Sequence, residues 1–600
     1  MKKSKTKKIN FFKQFFLMLK LIKKTSPALF LVTILDIIVS ATAAFPTILY
    51  PKYIIDALVT DECIEVVLIL IFKMVAFSIG FSIMSVLLNT WRDFLSLKMG
   101  FILSNGVRKQ SLNLDYDMFD NIDILDKQYF AFKVTDDNNF VSLLNSIRNF
   151  FVNLIILLGI VALTISVDFK ILFVAIGVII LQTIFTSKST KASLKYNEEG
   201  IPYMRRSEYI TRIATRPFYR KDIILYNAKE YIIDKADNYN SFIFGYFKRL
   251  KRTQSATGFL DRLVSNLYNL FLYVFLAVCV ISKTITVGDF SMYLSALTRF
   301  VSSCTGVVNS VISMRQKIQY FSYYDDFMGL KSKYSTGTMC LPEVISNESY
   351  TIKFENVYFK YPGCDTYVLE NINFTIKSGE KLALVGANGA GKSTLILLLM
   401  RLYEPTKGSI LLNGVDIKCI DYNEYISLFS SVFQDFNLFG YPVVENITFK
   451  EKNDSKSLEK VDYLIKSNGL HERISKMPNG INTYLTREID PYGEKLSGGE
   501  GQKIAIIRSL YKDSKIIVLD EPTSALDPNA ENEIYKKFSE MTSGKTAVFI
   551  SHRLASTRFC DNVIMLEQGK IIEKGTHYEL MDKKGKYYEM FSIQMKLYSE

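Results

Sequence analysis

Before residue 315 the chain contains six stretches of about 20 or more mainly apolar residues, near 28–53, 64–90, 141–166, 169–187, 258–282 and 290–314. Segments of that length and polarity have few places to go. As a helix each spans roughly the 30 Å hydrocarbon core of a bilayer and satisfies its own backbone hydrogen bonds there. The pattern predicts an α-helical polytopic membrane domain with six transmembrane helices. Lysines precede the first stretch, and Ala41-Thr42-Ala43 mimics a signal-peptide cleavage site. Its apolar core is too long for a signal peptide, however, and further spans follow it.

After about residue 345 the pattern changes. Short β-branched runs alternate with amphipathic helices, as in a soluble α/β domain. Averages of 48% hydrophobic and 22% charged residues conceal this division, and 600 residues exceed one folding unit. The expected organisation is a membrane domain over 1–330, a linker over 331–345 and a second domain over 346–600.

The net charge of +13 invites a nucleic-acid reading, but the placement of the lysines excludes it. Residues 1–24 hold nine lysines and no acid, interleaved with Phe11, Phe12, Phe15, Phe16, Leu17, Leu19 and Leu21. This suits an interfacial basic helix whose aromatics dip into the acyl boundary while ammonium groups meet anionic headgroups, so membrane lipids are the expected partner. The next loop carries Asp56, Asp61, Glu62 and Glu65 and is free of lysine and arginine, which places the N-terminus on the cytoplasmic side. Two long basic connections, 92–140 and 188–257, then lie inside as helical hairpins. Seven scattered cysteines and three histidines suggest neither a disulfide framework nor a zinc site.

Ionisable groups interrupt the apolar runs at Asp36, Lys73, Arg148 and Arg299. A charge at mid-membrane costs about 2.5–3.5 kcal/mol on insertion scales, so such groups face a cavity or a partner. For Asp36, Arg148 and Arg299 both readings stand: a cavity lining that touches cargo, or an interhelical pair.

The chemistry is concentrated in Gly386-Ala-Asn388-Gly389-Ala-Gly391-Lys392-Ser393-Thr394, which follows the strand-like Lys381–Val385 and opens the helical run Leu395–Leu402. That strand–loop–helix context defines a phosphate-binding P-loop. Its glycines let backbone N–H groups turn toward phosphates, Lys392 supplies a mobile charge, and the Ser393 hydroxyl binds Mg²⁺. Downstream, the apolar run from Lys515 ends in Asp520 and Glu521. Asp520 holds Mg²⁺ through water, and Glu521 orients or deprotonates the attacking water.

Leu496-Ser497-Gly498-Gly499-Glu500 resembles the signature motif of ABC ATPases, and the other motifs of that family follow in order. Tyr361 resembles the aromatic that stacks on adenine, Gln434 the Q-loop glutamine near Mg²⁺, Ser524-Ala-Leu-Asp527 the D-loop, and His552 the switch histidine. The membrane half is similar to bacterial half-size exporters, with Val287-Gly-Asp-Phe and Lys221-Asp-Ile-Ile-Leu-Tyr-Asn227 family-like. The resemblance implies an α/β P-loop ABC ATPase domain that hydrolyses ATP with Mg²⁺ and drives export of an amphiphilic cargo, a peptide or small hydrophobic molecule, by alternating access. It also implies coupling helices near 113–120 and 214–222, and a multi-pass protein of a bacterial plasma membrane with its ATPase domain in the cytoplasm. Each ATP then lies between one chain's P-loop and another's signature, so a second half-transporter is required; an identical chain is expected and a different one is possible. Glu500 stands where Gln is commoner, and Thr486-Arg-Glu488-Ile-Asp490-Pro-Tyr-Gly493 replaces the usual exporter X-loop. Two other functions fit the same motifs: a regulatory ABC protein that gates a partner, and an importer built on the exporter fold.

Overall fold

The computed structural model describes residues 11–136, 139–164, 169–334, 337–341, 349–521, 544–550 and 554–597. They divide into two units, Met1–Leu112 with Leu125–Leu330 and Asn113–Ile124 with Lys331–Glu600.

The first unit is helical: α1 Phe11–Thr25, α2 Pro27–Thr42, α3 Pro46–Val59, α4 Ile64–Asn113, α5 Ile122–Asp136, α6 Asn139–Thr164, α7 Phe169–Thr215, α8 Pro217–Leu225, α9 Lys229–Ile281 and α10 Val287–Met328. The stretch expected as one helix over 28–53 is two, α2 and α3, broken at 43–45 ahead of Pro46, which has no backbone N–H to continue the hydrogen-bond ladder. Among the described residues five stretches suffice, by length and composition, to cross a membrane: Pro27–Val59, Ile64–Asn113, Phe140–Leu163, Phe173–Ser193 and Lys229–Ile281. The sixth expected span, 290–314, lies inside α10, where serines, threonines, Asn309 and Arg299 dilute the apolar run. Several helices outrun the expected spans: 64–90 continues unbroken to Asn113, and 258–282 is the end of a 53-residue helix.

Within this unit α7 lies along α9, and α10 along α6 and α3. An apolar core of Ile156, Ile160, Leu272, Leu276, Ala296 and Leu297 joins them. The Val287-Gly-Asp-Phe motif proves to be a helix start. Thr286 and Asp289 form a reciprocal cap, Asp289 pairs with Lys52 at 2.5 Å, and the Gly288 N–H donates to Asp56 at 3.1 Å. Of the basic N-terminal segment, α1 exposes Phe12 and Phe16 while burying Met18 and Ile22; Lys2–Lys8 lie outside the described residues.

Among its described residues the second unit holds ten strands: β1 Thr351–Phe359, β2 Leu369–Lys377, β3 Lys381–Gly386, β4 Lys407–Leu412, β5 Val415–Asp416, β6 Phe429–Val432, β7 Ile516–Asp520, β8 Thr546–Ile550, β9 Asn562–Glu567 and β10 Lys570–Gly575. An antiparallel sheet runs β2-β1-β4-β5, and a second sheet runs β10-β9-β3-β8-β7-β6, parallel except for β10. β3, β7 and β8 are buried almost end to end, as continuous apolar runs in a covered parallel sheet require. β3 and β7 flank β8, so the loops after β3 and β7 emerge near one another at the carboxyl edge, where α/β sheets place ligands.

Residues 113–124, expected in the membrane domain, belong to this second unit. Asp115 accepts hydrogen bonds from the Ser332 hydroxyl and the Lys333 N–H, and Tyr403 donates to Asp120. Part of the expected linker is likewise fastened here, by a bridge between Met339 and Ile420.

Candidate nucleotide site

The P-loop turns sharply out of β3. Gly386 has φ +147°, and a Cβ there would collide with the Leu566 carbonyl. Gly391, at φ +100°, opens α11 (Lys392–Leu399), and a Cβ would sit 2.6 Å from Leu369. Only glycine fits either position. The loop closes over Lys392, which is 5% exposed and whose Nζ donates to the Gly386 and Ala387 carbonyls, both at 3.0 Å. Burial pulls this lysine below its ordinary pKa, against the charges of Glu521 and Asp520, which pull it up.

A cavity of about 430 Å³ lies beside the loop, lined by Asn388, Gly389, Gly391, Lys392, Ser393, Thr394, Gln434, Glu521 and Val368. Its far wall comes from the sheet edge. Asp520 ends β7, and burial, with Glu521 and Asp435 nearby, raises its pKa to about 6, against the pull of Ser393 and Lys392. Glu521 follows in a left-handed conformation, φ +48°, uncommon for a residue with a side chain and concentrated at functional sites. Its Oε2 accepts a hydrogen bond from Gln434 Nε2 at 2.9 Å.

This acidic corner fits Mg²⁺. Ionising Asp520 is uphill beside two other carboxylates, and a divalent cation would relieve that repulsion. Among the described residues no cluster of three or more His, Cys, Asp or Glu could hold a metal. Mg²⁺ characteristically takes one or two protein ligands and completes its shell with phosphate oxygens and water.

Tyr361 flanks the loop. Its hydroxyl is 2.9 Å from Thr394 Oγ1, and its ring meets Tyr403 edge-on at 5.4 Å. The signature lies elsewhere. Ser497 caps α12 (Gly498–Lys512) by accepting from the Glu500 N–H, and Glu500 Oε2 accepts from the Ser497 N–H at 2.8 Å. Arg473 bridges Glu500 and Glu494 at 3.3 and 2.6 Å. Partial burial pushes the Glu500 pKa up, but the Ser497 hydrogen bonds and the Arg473 charge outweigh it and hold the carboxyl below its usual range. None of Ser497, Gly498, Gly499 and Glu500 lines the P-loop cavity. Asp527 and His552 lie outside the described residues.

A family model described as "ABC transporter" matches residues 369–524. Over 94% of its length the chain is 28% identical to the subtilin transport ATP-binding protein SpaT of Bacillus subtilis, covering 91% of that protein. Residues 369–524 are an ABC transporter domain, and the chain as a whole is similar to ABC exporters. It is also 35% identical, over 51% of each chain, to the ATP-dependent lipid A-core flippase of Methylobacillus flagellatus. With the alpha-hemolysin translocation ATP-binding protein HlyB of Escherichia coli it shares 38% identity over 43% of this chain and 35% of that one. Against these two the chain spans about half of the relative's length and about a third of it, respectively. Its fold is that of a bacterial Atm1-family ABC exporter solved with ATP bound, with a TM-score of 0.79, 20% identity and coverage of 95% and 99% of the two chains. ATP hydrolysis by the second unit is thus coupled to transport across the membrane.

Of Asp36, Arg148 and Arg299, each open to reading as a cavity lining or as an interhelical partner, the first two are paired. Asp36, fully buried, accepts from Arg92 at 2.5 Å and from Arg148 at 2.6 Å, tying α2 to α4 and α6. Ionised groups withdrawn from water need such partners, and the single carboxylate is shared between two guanidiniums. Arg92 carries no such signal in the sequence, because it sits just past the apolar run 64–90. Arg299 is different: it is exposed, and its guanidinium makes no ion pair among the described residues.

Proposed function

We propose that the exporter works as a dimer of identical chains, residues 1–330 supplying the transmembrane domain apart from the segment 113–124, which belongs with the cytoplasmic ATPase domain over 346–600, and with α1 on the inner membrane surface. One observation carries the reading: the P-loop and the signature of a single chain do not line a common cavity. Ser497 and Gly498 are exposed at the start of α12, where a helix N-terminus suits an anion. A second copy brings its own P-loop there.

In this reading Asn388, Gly389, Gly391, Lys392 and Thr394 hold the phosphates, Val368 and Tyr361 hold the nucleoside, and Ser497, Gly498, Gly499 and Asp527 act across the dimer interface. Ser393, Gln434 and Asp520 would hold Mg²⁺, which supplies charge neutralisation to the phosphates. Glu521 takes the proton of the attacking water and is aimed by Gln434, while His552 contacts the γ-phosphate. Closure of the ATPase pair follows from tighter ATP binding to the closed state, and the inner helical connections carry it to the spans. The cargo is amphiphilic, a peptide or small hydrophobic molecule, moved outward through a bacterial plasma membrane.

Glu521→Gln tests the roles. In full-length protein reconstituted in vesicles, the variant should bind ATP with unchanged affinity and hydrolyse it at least a hundredfold more slowly, as loss of a general base requires. Unaltered turnover refutes the assigned base. Full turnover by a strictly monomeric chain refutes the dimer.

A further inference from the structure

We propose that a polar trough on α9 and α10 receives the anionic head group of the exporter's cargo, with Arg299 and Arg262 as its contacts. This names the chemical class of the amphiphile and rests on the export reading above.

On α10, Thr298, Ser302, Thr305 and Asn309 recur at i, i+4, i+7 and i+11, so they share one face, with Arg299 at its edge. Thr298, Arg299, Ser302 and Asn309 are all exposed, although they lie within a stretch expected to span the membrane. On α9, Arg262, Asn266 and Asn269 recur at i, i+4 and i+7, with Arg262 and Asn266 exposed. The two stripes adjoin: the Thr298 hydroxyl donates to Asn269 Oδ1 at 3.4 Å. From that register, with the helices antiparallel, Arg262 lies level with Thr305. The backbone positions of the two arginines are therefore offset by roughly 10 Å along the trough.

The charge balance selects the ligand. Between Asp289 and Asp325, α10 has no acidic residue, and its basic residues there are Arg299, Arg315 and Lys317. Lys317 is occupied, donating to the Ser142 carbonyl at 3.0 Å. On the spanning part of α9 the one acid is Asp261, beside Arg262 in sequence. Neither Arg299 nor Arg262 has a carboxylate within ion-pair distance among the described residues, in contrast to Arg92 and Arg148 on the same unit. An exposed polar face at membrane depth lines water or a ligand rather than lipid, and unpaired guanidiniums there favour a phosphate or carboxylate through bidentate hydrogen bonds. Apolar neighbours Leu263, Leu267 and Leu270 of α9 are exposed beside the trough and suit an acyl chain.

The experiment measures ATPase stimulation of the full-length exporter in nanodiscs by dodecyl phosphate, dodecylphosphocholine and dodecyltrimethylammonium below their micellar concentrations. The phosphate should reach half-maximal stimulation at a concentration at least tenfold lower than the other two. Arg299→Ala combined with Arg262→Ala should abolish that difference, while Arg299→Lys should keep most of it. Arg299→Gln, of similar length, serves where the alanine variant fails to yield monodisperse protein. If the cation stimulates as well as the phosphate, or the difference survives the double substitution, the class assignment is wrong and the export reading stands. If no head group stimulates hydrolysis or accumulates in inverted vesicles, the export reading fails and the assignment with it.

Discussion

The Tyr403 hydroxyl donates a hydrogen bond of 2.5 Å to the Asp120 carboxylate. Asp120 closes the 3₁₀ turn Tyr116–Asp120, whose Tyr116 ring also meets Tyr403 edge-on. On its other side Tyr403 abuts Tyr361, which is hydrogen-bonded to Thr394 at the P-loop helix. Tyr403 thus stands between the nucleotide site and the segment expected as a coupling helix. Tyr403→Phe keeps the rings in contact and deletes the hydrogen bond to a carboxylate, an interaction of about 1.5–3 kcal/mol. The expected outcome is a changed KM for ATP in Asp120→Asn that disappears in the Tyr403→Phe background, read from a double-mutant cycle on steady-state hydrolysis. Additive effects would separate the two residues.

The buried triad of Asp36, Arg92 and Arg148 predicts a large stability effect. Asp36→Asn leaves two guanidiniums sharing no anion, and removing one partner of a buried pair costs about 3–5 kcal/mol. Thermal unfolding in detergent should show a midpoint several degrees lower, whereas Asp93→Asn, at the exposed end of the same cluster, should shift it little.

Glu500 offers a finer test. Glu500→Gln preserves an acceptor for the Ser497 N–H and loses only the partly exposed ion pair to Arg473, so it should change stability by less than about 1 kcal/mol. Glu500→Ala removes half of the reciprocal cap as well and should cost about 1 kcal/mol more. Unfolding of the full chain in denaturant measures both.

A pH effect is expected at His577. Burial, reinforced by the Arg558 charge, holds its pKa below the ordinary 6.5, and its Nδ1 is 2.7 Å from the Tyr587 hydroxyl. The unfolded chain therefore takes up a proton at a higher pH than the folded one. The stabilising contribution is complete above about pH 6.5 and is lost as pH falls through the folded value. Thermal midpoints of the wild type should fall over that window more steeply than those of His577→Gln, measured in one buffer series.

What the sequence disclosed, it disclosed through contiguity. Gly386–Thr394 carries its chemistry within nine residues, and Asp520 with Glu521 ends a visible apolar run, so the P-loop and its acidic wall were legible before any fold was known. The partners that position these groups were not. Arg473 reaches Glu500 from 27 residues away, Arg92 reaches Asp36 from 56, and Tyr403 reaches Asp120 from 283. No periodicity signals such pairs, because they depend on how elements are brought together in space. The break between α2 and α3 was readable at Pro46 and was masked by the unbroken apolarity around it.

The length of α9 has a mechanical corollary. Its 53 residues contain no proline and form one rod of about 80 Å. Turned about its midpoint by roughly 5°, such a rod sweeps its two tips about 3.5 Å in opposite directions. Stroke then scales with arm length, so a glycine pair or proline introduced midway along α9 would uncouple its ends by bending the lever, with every chemical group of the ATPase left in place.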